Sequence, residues 1–286
     1  MSERKFKFGV SGRGETMAQW QDFARKAEDL GYWSLDLPDH FTRQFSPLPA
    51  LVAAGQVTSR IRFATTMLCN DFRHPVMLAK EAATVDVLTD GRFELGIGTG
   101  SRTDDLAEAG MEYDRAGVRI ERLEETLRIL DLYYGEAERI NFAGKHYQIA
   151  DIEAYPKPVQ EPMPIMVGAR GERMLRLAAR EADIVGVMMG ADDAPGVLGE
   201  KIAVVKEEAG ERYDQIEFTQ LFFNVQIDGK PDGPGAQRPG LSLVGSRDQV
   251  CEQLLQLREE HDISYIMVIG PVIEAFAPVV AKLAGS

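Results

Sequence analysis

The stretch from Arg62 to Ser101 constrains the fold more than any other part of the chain. An apolar, β-branched run from Ile61 to Leu68 stops at Cys69-Asn70-Asp71. His74-Pro75 then opens a helix, with Pro75 at the first helical position, where its missing N–H costs nothing. Leu78, Ala82 and Val85 give that helix one apolar face. Asp90-Gly91 ends it, and a second buried strand, Phe93 to Ile97, runs into Gly98-Thr99-Gly100. This is one strand–helix–strand unit whose two strand exits carry polar and glycine residues that could face a common ligand.

The rest of the chain repeats that alternation. Lys5 to Val10 reads as a first strand, followed by a helix that Thr16 can cap and whose apolar stripe is Met17, Trp20, Phe23, Ala24, Ala27 and Leu30. Tyr32 to Leu37 is a second strand ending in Pro38-Asp39-His40-Phe41, with a short helix over 50–58. A long helix covers Asp114 to Tyr134. Residues 136–163 read as a small excursion containing a hairpin around Gly144. Strands follow at Pro164 to Val167, Asp183 to Met188, Glu217 to Ile227 and Ser264 to Ile269, separated by helices. Ser246 caps the helix before the last strand, and the Gly- and Pro-rich residues 228–240 read as a mobile loop. Nearly all of these strands are continuously apolar, as in parallel sheets buried on both faces. Eight such strands in 286 residues favour a closed (β/α)8 TIM barrel, one domain over 1–286, above an open doubly wound sheet.

Charge and composition narrow the function classes. The net charge of −13 disfavours nucleic-acid binding, which needs clustered Lys and Arg. Two cysteines, Cys69 and Cys251, and no apolar run long enough for a signal peptide or a bilayer span point to a cytoplasmic protein without a membrane partner. The four histidines have no metal-ligand spacing, so no metal site is expected.

In a barrel the working face lies at the carboxyl ends of the strands. Asp39-His40 is the sharpest pair there: a carboxylate and an imidazole at one strand exit can hydrogen-bond a heterocycle and relay a proton near neutral pH. A loop in which Asp39 satisfies backbone N–H groups and His40 packs beside Phe41 is an equally open reading. Gly98-Thr99-Gly100 fails as a dinucleotide fingerprint, because Ser101 stands where G-x-G-x-x-G counted from Gly96 needs glycine. It reads either as an ordinary strand exit or as backbone kept bare for a flat ring. Gly168-Ala169-Arg170-Gly171 opens a helix, and with Arg173 and Arg176 nearby it suits a phosphate better than a plain solvated face. His74 is expected to cap the helix at Pro75. Cys69 is expected to be a pocket wall, and Asp104, Asp105 and Glu108 a solvated helix start.

The order of these pieces resembles the luciferase-like flavin and deazaflavin oxidoreductases over nearly the whole chain. The resemblance rests on EDLGYWSLDLPDHF (28–41), NDFRHPVMLAKEAATVDVLTDGRFELGIGTGS (70–101), RIERLEETLRIL (119–130), PKPVQEPMPIMVGARGERMLRLAAREADIV (156–185) and LVGSRDQVCEQLLQL (243–257). It looks most like the branch that uses coenzyme F420, an 8-hydroxy-5-deazaflavin hydride carrier. Bacterial luciferase itself has a Glu-His-His run where this chain has Asp39-His40.

The resemblance implies that Asp39 contacts the polar edge of the ring and that His40 is the catalytic proton donor or acceptor. It also implies a non-proline cis peptide at Thr66-Met67, forming a bulge behind the ring. Gly98, Thr99, Gly100 and Ser101 would flank the cofactor tail, and Gly168, Ala169, Arg170 and Gly171 would bind its phosphate. Phe45 lies near where some relatives place a tryptophan. The expected function is hydride transfer between the deazaflavin and a small organic substrate, by reduction of C=C or C=N or by oxidation of an alcohol. An FMN-dependent two-component monooxygenase and a non-catalytic flavin- or deazaflavin-binding protein are the alternatives. A homodimer, formed through the helix faces around 50–58 and 76–88, and a separate cofactor-reducing enzyme are the implied partners. Loop 228–240 is a candidate lid.

Overall fold

The computed structural model describes residues 4–100, 103–190, 193–194, 196–231 and 242–286. Ser101 and residues 232–240 of the candidate lid therefore lie outside the described residues.

In chain order the first elements are β1 (Lys7–Ser11), α1 (Met17–Asp29), β2 (Ser34–Leu37), α2 (Pro47–Gly55), β3 (Arg62–Thr65), β4 (Leu68–Cys69), α3 (Pro75–Leu88) and β5 (Phe93–Gly98). Next come α4 (Thr103–Glu108), α5 (Ala116–Tyr134), β6 (Arg139–Ala143), β7 (Gln148–Glu153), β8 (Ile165–Ala169), α6 (Glu172–Glu181), β9 (Ile184–Val187) and α7 (Val197–Ala209). The last are β10 (Glu217–Phe222), β11 (Asn224–Ile227), β12 (Lys230–Pro231), β13 (Ser242–Gly245), α8 (Arg247–His261), β14 (Ile263–Ile269) and α9 (Ile273–Leu283).

The main sheet runs β3-β2-β1-β14-β10-β9-β8-β5-β4, and an additional β3–β5 pairing closes it. Every strand pair in it is parallel. With β3 and β4 counted as one broken stave, this is the expected (β/α)8 barrel. The apolar stave residues are buried because helices cover their outer faces. β6 and β7 form a separate antiparallel pair. Among the described residues no helix is long and apolar enough to cross a membrane.

The helix signals act as their chemistry requires. The Thr16 side chain accepts from Gln19 N, the His74 ring accepts from Val76 N, and Ser246 and Gln249 form a reciprocal capping box. Two expectations fail locally. Met17 is exposed, so the inward stripe of α1 is Trp20, Ala24 and Ala27, with Phe23 and Leu30 packed against the core at its edge. The strand expected over Glu217 to Ile227 divides at Phe223: β10 stays in the barrel, whereas β11 leaves it to pair with β12 and β13.

The lower half of the barrel interior is polar, and its charges are paired. Glu94 accepts from Arg62 Nε at 2.7 Å, Trp33 Nε1 at 3.2 Å and the Tyr265 hydroxyl at 2.9 Å. Lys7 pairs with Glu217 at 2.7 Å. Above this layer Met166, Ile184, Tyr265 and Met267 form an apolar plug, with Met67 and Leu221 packed on it. Met67 also explains two glycines. A Cβ on Gly168 would meet its Cγ at 2.9 Å, and one on Gly186 its Cε at 2.8 Å. Gly96 is required for another reason, because a Cβ there would lie 1.7 Å from the Thr65 carbonyl oxygen.

These contacts set a graded expectation. Gly96→Ala must displace backbone and should destabilise by about 3 kcal/mol or more. Gly171→Ala, where a Cβ would meet nothing within 4 Å, should change stability by less than about 0.5 kcal/mol. Urea unfolding of the two variants checks the ordering, and equal stabilities would contradict this account of the β3–β5 closure.

Candidate functional site

The polar residues at the mouth sit on the turns that leave β2, β3–β4, β5 and β8. β3 and β4 are interrupted by a cis peptide bond between Thr66 and Met67, at the position expected from the sequence. From Ala64 to Leu68 the broken stave advances four residues while its partner β5 advances three, from Glu94 to Ile97. The extra residue is a bulge.

Asp39 and His40 leave β2 with different partners. Asp39 is buried; its Oδ2 accepts from Cys69 N at 3.1 Å and from Arg73 Nη1 at 2.6 Å, and its Oδ1 accepts from Arg73 Nη2 at 3.3 Å. The carboxylate thus binds the β4 exit to the loop before α3. His40 is partly exposed, and its Nδ1 lies 3.2 Å from Asp105 Oδ2 on α4. The sequence reading of Asp105 as part of a solvated helix start is corrected here. Asp104 and Glu108 are exposed, but Asp105 is 3% exposed because it turns under the helix toward the imidazole. The carboxylate faces that ring nitrogen at ion-pair distance, an arrangement that favours a proton on Nδ1.

The β5 exit is held from outside. Arg119, buried on α5, donates to the carbonyls of Thr99 at 2.7 Å, Gly100 at 2.8 Å and Asp114 at 3.1 Å, with its guanidinium over the Tyr113 ring. Gly100 has φ +77°, and a Cβ there would meet Cys69 Sγ at 2.6 Å. Glycine at 100 is therefore a requirement of the exit itself. At Gly98 a Cβ would find ordinary contacts, the nearest 3.7 Å away, so steric packing does not demand glycine there. Cys69 is buried, and desolvation pushes its thiol up to about 11, which makes it a wall rather than a nucleophile.

At the β8 exit Gly168 and Ala169 are strand residues and Gly171 is the N-cap of α6, with no side chain capping it. Arg170 is exposed and lies against Gly190, where an added Cβ would meet its Nη2. The other two arginines expected to assist are committed elsewhere. Arg176 pairs with Glu172, Glu207 and Glu208, and Arg173 lies 3.6 Å from Glu121. The cation that the strand exit contributes is Arg170.

The sequence reading missed Arg73, Arg119 and Asp105. Arg119 lies in a motif already singled out, but its inward turn has no signature in one sequence. A buried arginine normally signals a carboxylate partner, whereas this one is satisfied by carbonyls.

Comparison with known proteins fits this architecture. The family described as Luciferase-like monooxygenase matches residues 5–232. The chain belongs to that family. An F420-dependent glucose-6-phosphate dehydrogenase of Microbacterium testaceum is 31% identical over 241 residues, covering 79% of this chain and 69% of the relative. The coenzyme F420-dependent tetrahydromethanopterin reductase of Methanopyrus kandleri superposes with a TM-score of 0.82 at 18% identity, over 98% of this chain and 99% of that one. A monooxygenase from Streptomyces bottropensis gives 0.80 at 18% identity, over 96% and 99%. At such identities the two structures establish the fold and leave the chemistry to the site.

The Asp39–Arg73 pair supplies a stability test. Arg73→Ala leaves a buried carboxylate without its cation and should cost about 3 kcal/mol. Adding Asp39→Asn removes the stranded charge and should recover part of that loss. Chemical denaturation of the single and double variants measures the coupling, and strictly additive losses would show that the pair is not the clamp.

Proposed function

We propose that this protein is a coenzyme F420-dependent oxidoreductase that transfers a hydride between the deazaflavin and a small organic substrate. The observation that carries the reading is the His40–Asp105 pair at the mouth of a barrel whose curated relative is an F420-dependent dehydrogenase.

The residues at the mouth fit a flat heterocycle with a phosphate-bearing tail. Gly98 keeps the β5 exit bare where packing does not require it. A carboxyl oxygen of Asp36 is buried without a hydrogen-bond partner among the described residues. The uncapped N-terminus of α6 with Arg170 beside it suits a phosphate. In this reading Asp39, Thr66, Met67, Gly98, Thr99 and Gly100 line the ring and tail, and Gly168 to Gly171 hold the phosphate.

When bound, the deazaflavin supplies the carbon that gives or accepts the hydride. His40 moves the accompanying proton. With Nδ1 facing Asp105, the exchangeable proton is carried on Nε2; it goes to the reduced product when C=C or C=N is the acceptor and comes from the hydroxyl when an alcohol is oxidised. Asp105 favours the proton that stays on Nδ1. Asp39, through Cys69 N and Arg73, fixes the loop that precedes His40. Orientation and proton placement supply the protein's share of the rate.

A cytoplasmic setting and a separate enzyme that resets the cofactor accompany this reading. So does a homodimer, supported by Met77, Val87 and Leu88, which expose apolar surface on α3. Light scattering at micromolar concentration should give twice the chain mass; a monomer would remove the homodimer.

Fluorescence titration with F420 and with FMN tests the cofactor. Binding of the deazaflavin is expected, and FMN binding with oxygen consumption and no deazaflavin affinity would overturn the proposal. His40→Asn should lower kcat by about 10²–10⁴ while changing cofactor affinity far less. A variant with full turnover would remove His40 from the catalytic role.

A further inference from the structure

Asp36 is a charged residue type in a wholly buried place, and the reaction described above does not use it. It lies on β2 two residues after Ser34, on the inward face of the barrel, since Ser34 Oγ receives the hydroxyl of the interior Tyr265. It stands opposite Ser11 on β1 and Ala64 on β3. Ser11 Oγ donates to its Oδ1 at 2.8 Å, and Thr66 Oγ1 donates to the same oxygen. Oδ2 has no partner among the described residues.

This pattern matches a neutral acid better than an anion. In the neutral form Oδ1 is the carbonyl oxygen, and its two lone pairs are filled by the two hydroxyls. The proton then sits on Oδ2, with one donor bond still to give. In the charged form Oδ2 would be a bare buried anion, which is the costly arrangement. Its surroundings agree. Glu94 on β5 is the nearby like charge that works against ionisation. Tyr265 on β14 lies close beneath and is held un-ionised by burial. Lys7 on β1 and Arg62 on β3 are spent on Glu217 and Glu94, and above it Asp39 pairs with Arg73 and His40 faces Asp105. Burial pushes the Asp36 carboxyl up to about 6, ahead of the opposing help from Thr66 and Ser11.

We propose that Asp36 is a positioning residue of the cofactor site, which donates a hydrogen bond from a protonated Oδ2 to a carbonyl oxygen of the ring bound at the barrel mouth. The inference rests on the functional reading above and adds the residue that reads the acceptor edge of the ring. Binding then requires the neutral acid. Cofactor affinity is full where Asp36 is protonated in the free protein and falls as pH rises above that range, by up to about tenfold per pH unit.

The test is F420 binding by fluorescence quenching from about pH 5 to 8, with wild type, Asp36→Asn, Asp36→Leu and His40→Asn. Asparagine keeps an accepting oxygen for Ser11 and Thr66 and places an N–H donor at the Oδ2 position. It should therefore retain affinity and lose the pH slope. Asp36→Leu should lose at least tenfold in affinity relative to wild type at the acid end of the range and show no pH slope. His40→Asn should keep the slope, which separates Asp36 from the imidazole at the mouth. Difference infrared spectra of wild type should show a protonated-carboxyl stretch that shifts on binding and is absent in Asp36→Asn. An unchanged slope in Asp36→Asn, or loss of binding in that variant at low pH, overturns the inference and leaves the functional reading standing. Absence of F420 binding by wild type overturns both.

Discussion

The barrel closes on a contact that leaves no room for a side chain. Thr65 Oγ1 both accepts from Gly96 N and donates to Gly96 O, at 2.9 and 2.8 Å, and the Thr65 carbonyl occupies the place of the missing Cβ. β3 cannot run on in register past this point. The chain resumes as β4, one residue out of step on β5. The interruption sends Met67 across the interior to lie against Gly168 and Gly186 on the staves beyond β5. It also delivers Cys69 N to Asp39. The floor of the mouth and the anchoring of the Asp39–His40 turn are both consequences of one close approach.

The mouth that results is lopsided. The turns leaving β2, β4 and β5 are tied by charged groups: Arg73 to Asp39, Arg122 to Asp71 and Asp114, and Arg119 to backbone carbonyls. The staves β8 and β9 instead present glycine and the side chain of Met67. Inside the rim, one side fixes polar groups in place and the other presents glycine and methionine, with Arg170 and the Lys201–Asp193 pair at its exits. In the functional reading, a planar ring with one polar and one apolar edge suits such a mouth.

Much of this was legible in the sequence because it depends on local chemistry. Continuous β-branched runs mark buried parallel strands, and Pro75, Thr16 and Ser246 mark helix starts by the N–H groups they spare or satisfy. The family motifs located the cis bond at Thr66–Met67. What stayed hidden depends on direction. In a strand apolar on both faces, parity alone does not say which side is the lumen, so Asp36 passed as one more residue of LDLPDHF. Asp105 and Arg119 turn inward from helices whose exposed neighbours have the same polarity. Phe223, where β10 gives way to β11, looks like the strand residues around it, and only the partner strand β13, distant in sequence, explains the division.

The chain has two tryptophans, and the fold puts them at opposite ends of the barrel. Trp20 is sealed behind the β1 exit, its ring against Gly12 and Phe45 and its Nε1 bonded to the Ala50 carbonyl. Trp33 stands half-exposed at the entrance to β2, beside Lys7, Arg62 and Glu94. Their surroundings therefore differ: one indole is sealed from water and the other is half in it. A change confined to the buried indole reports on the mouth, and a change in the exposed one reports on the far rim. The protein carries its own pair of optical probes for following where along the barrel axis an event takes place.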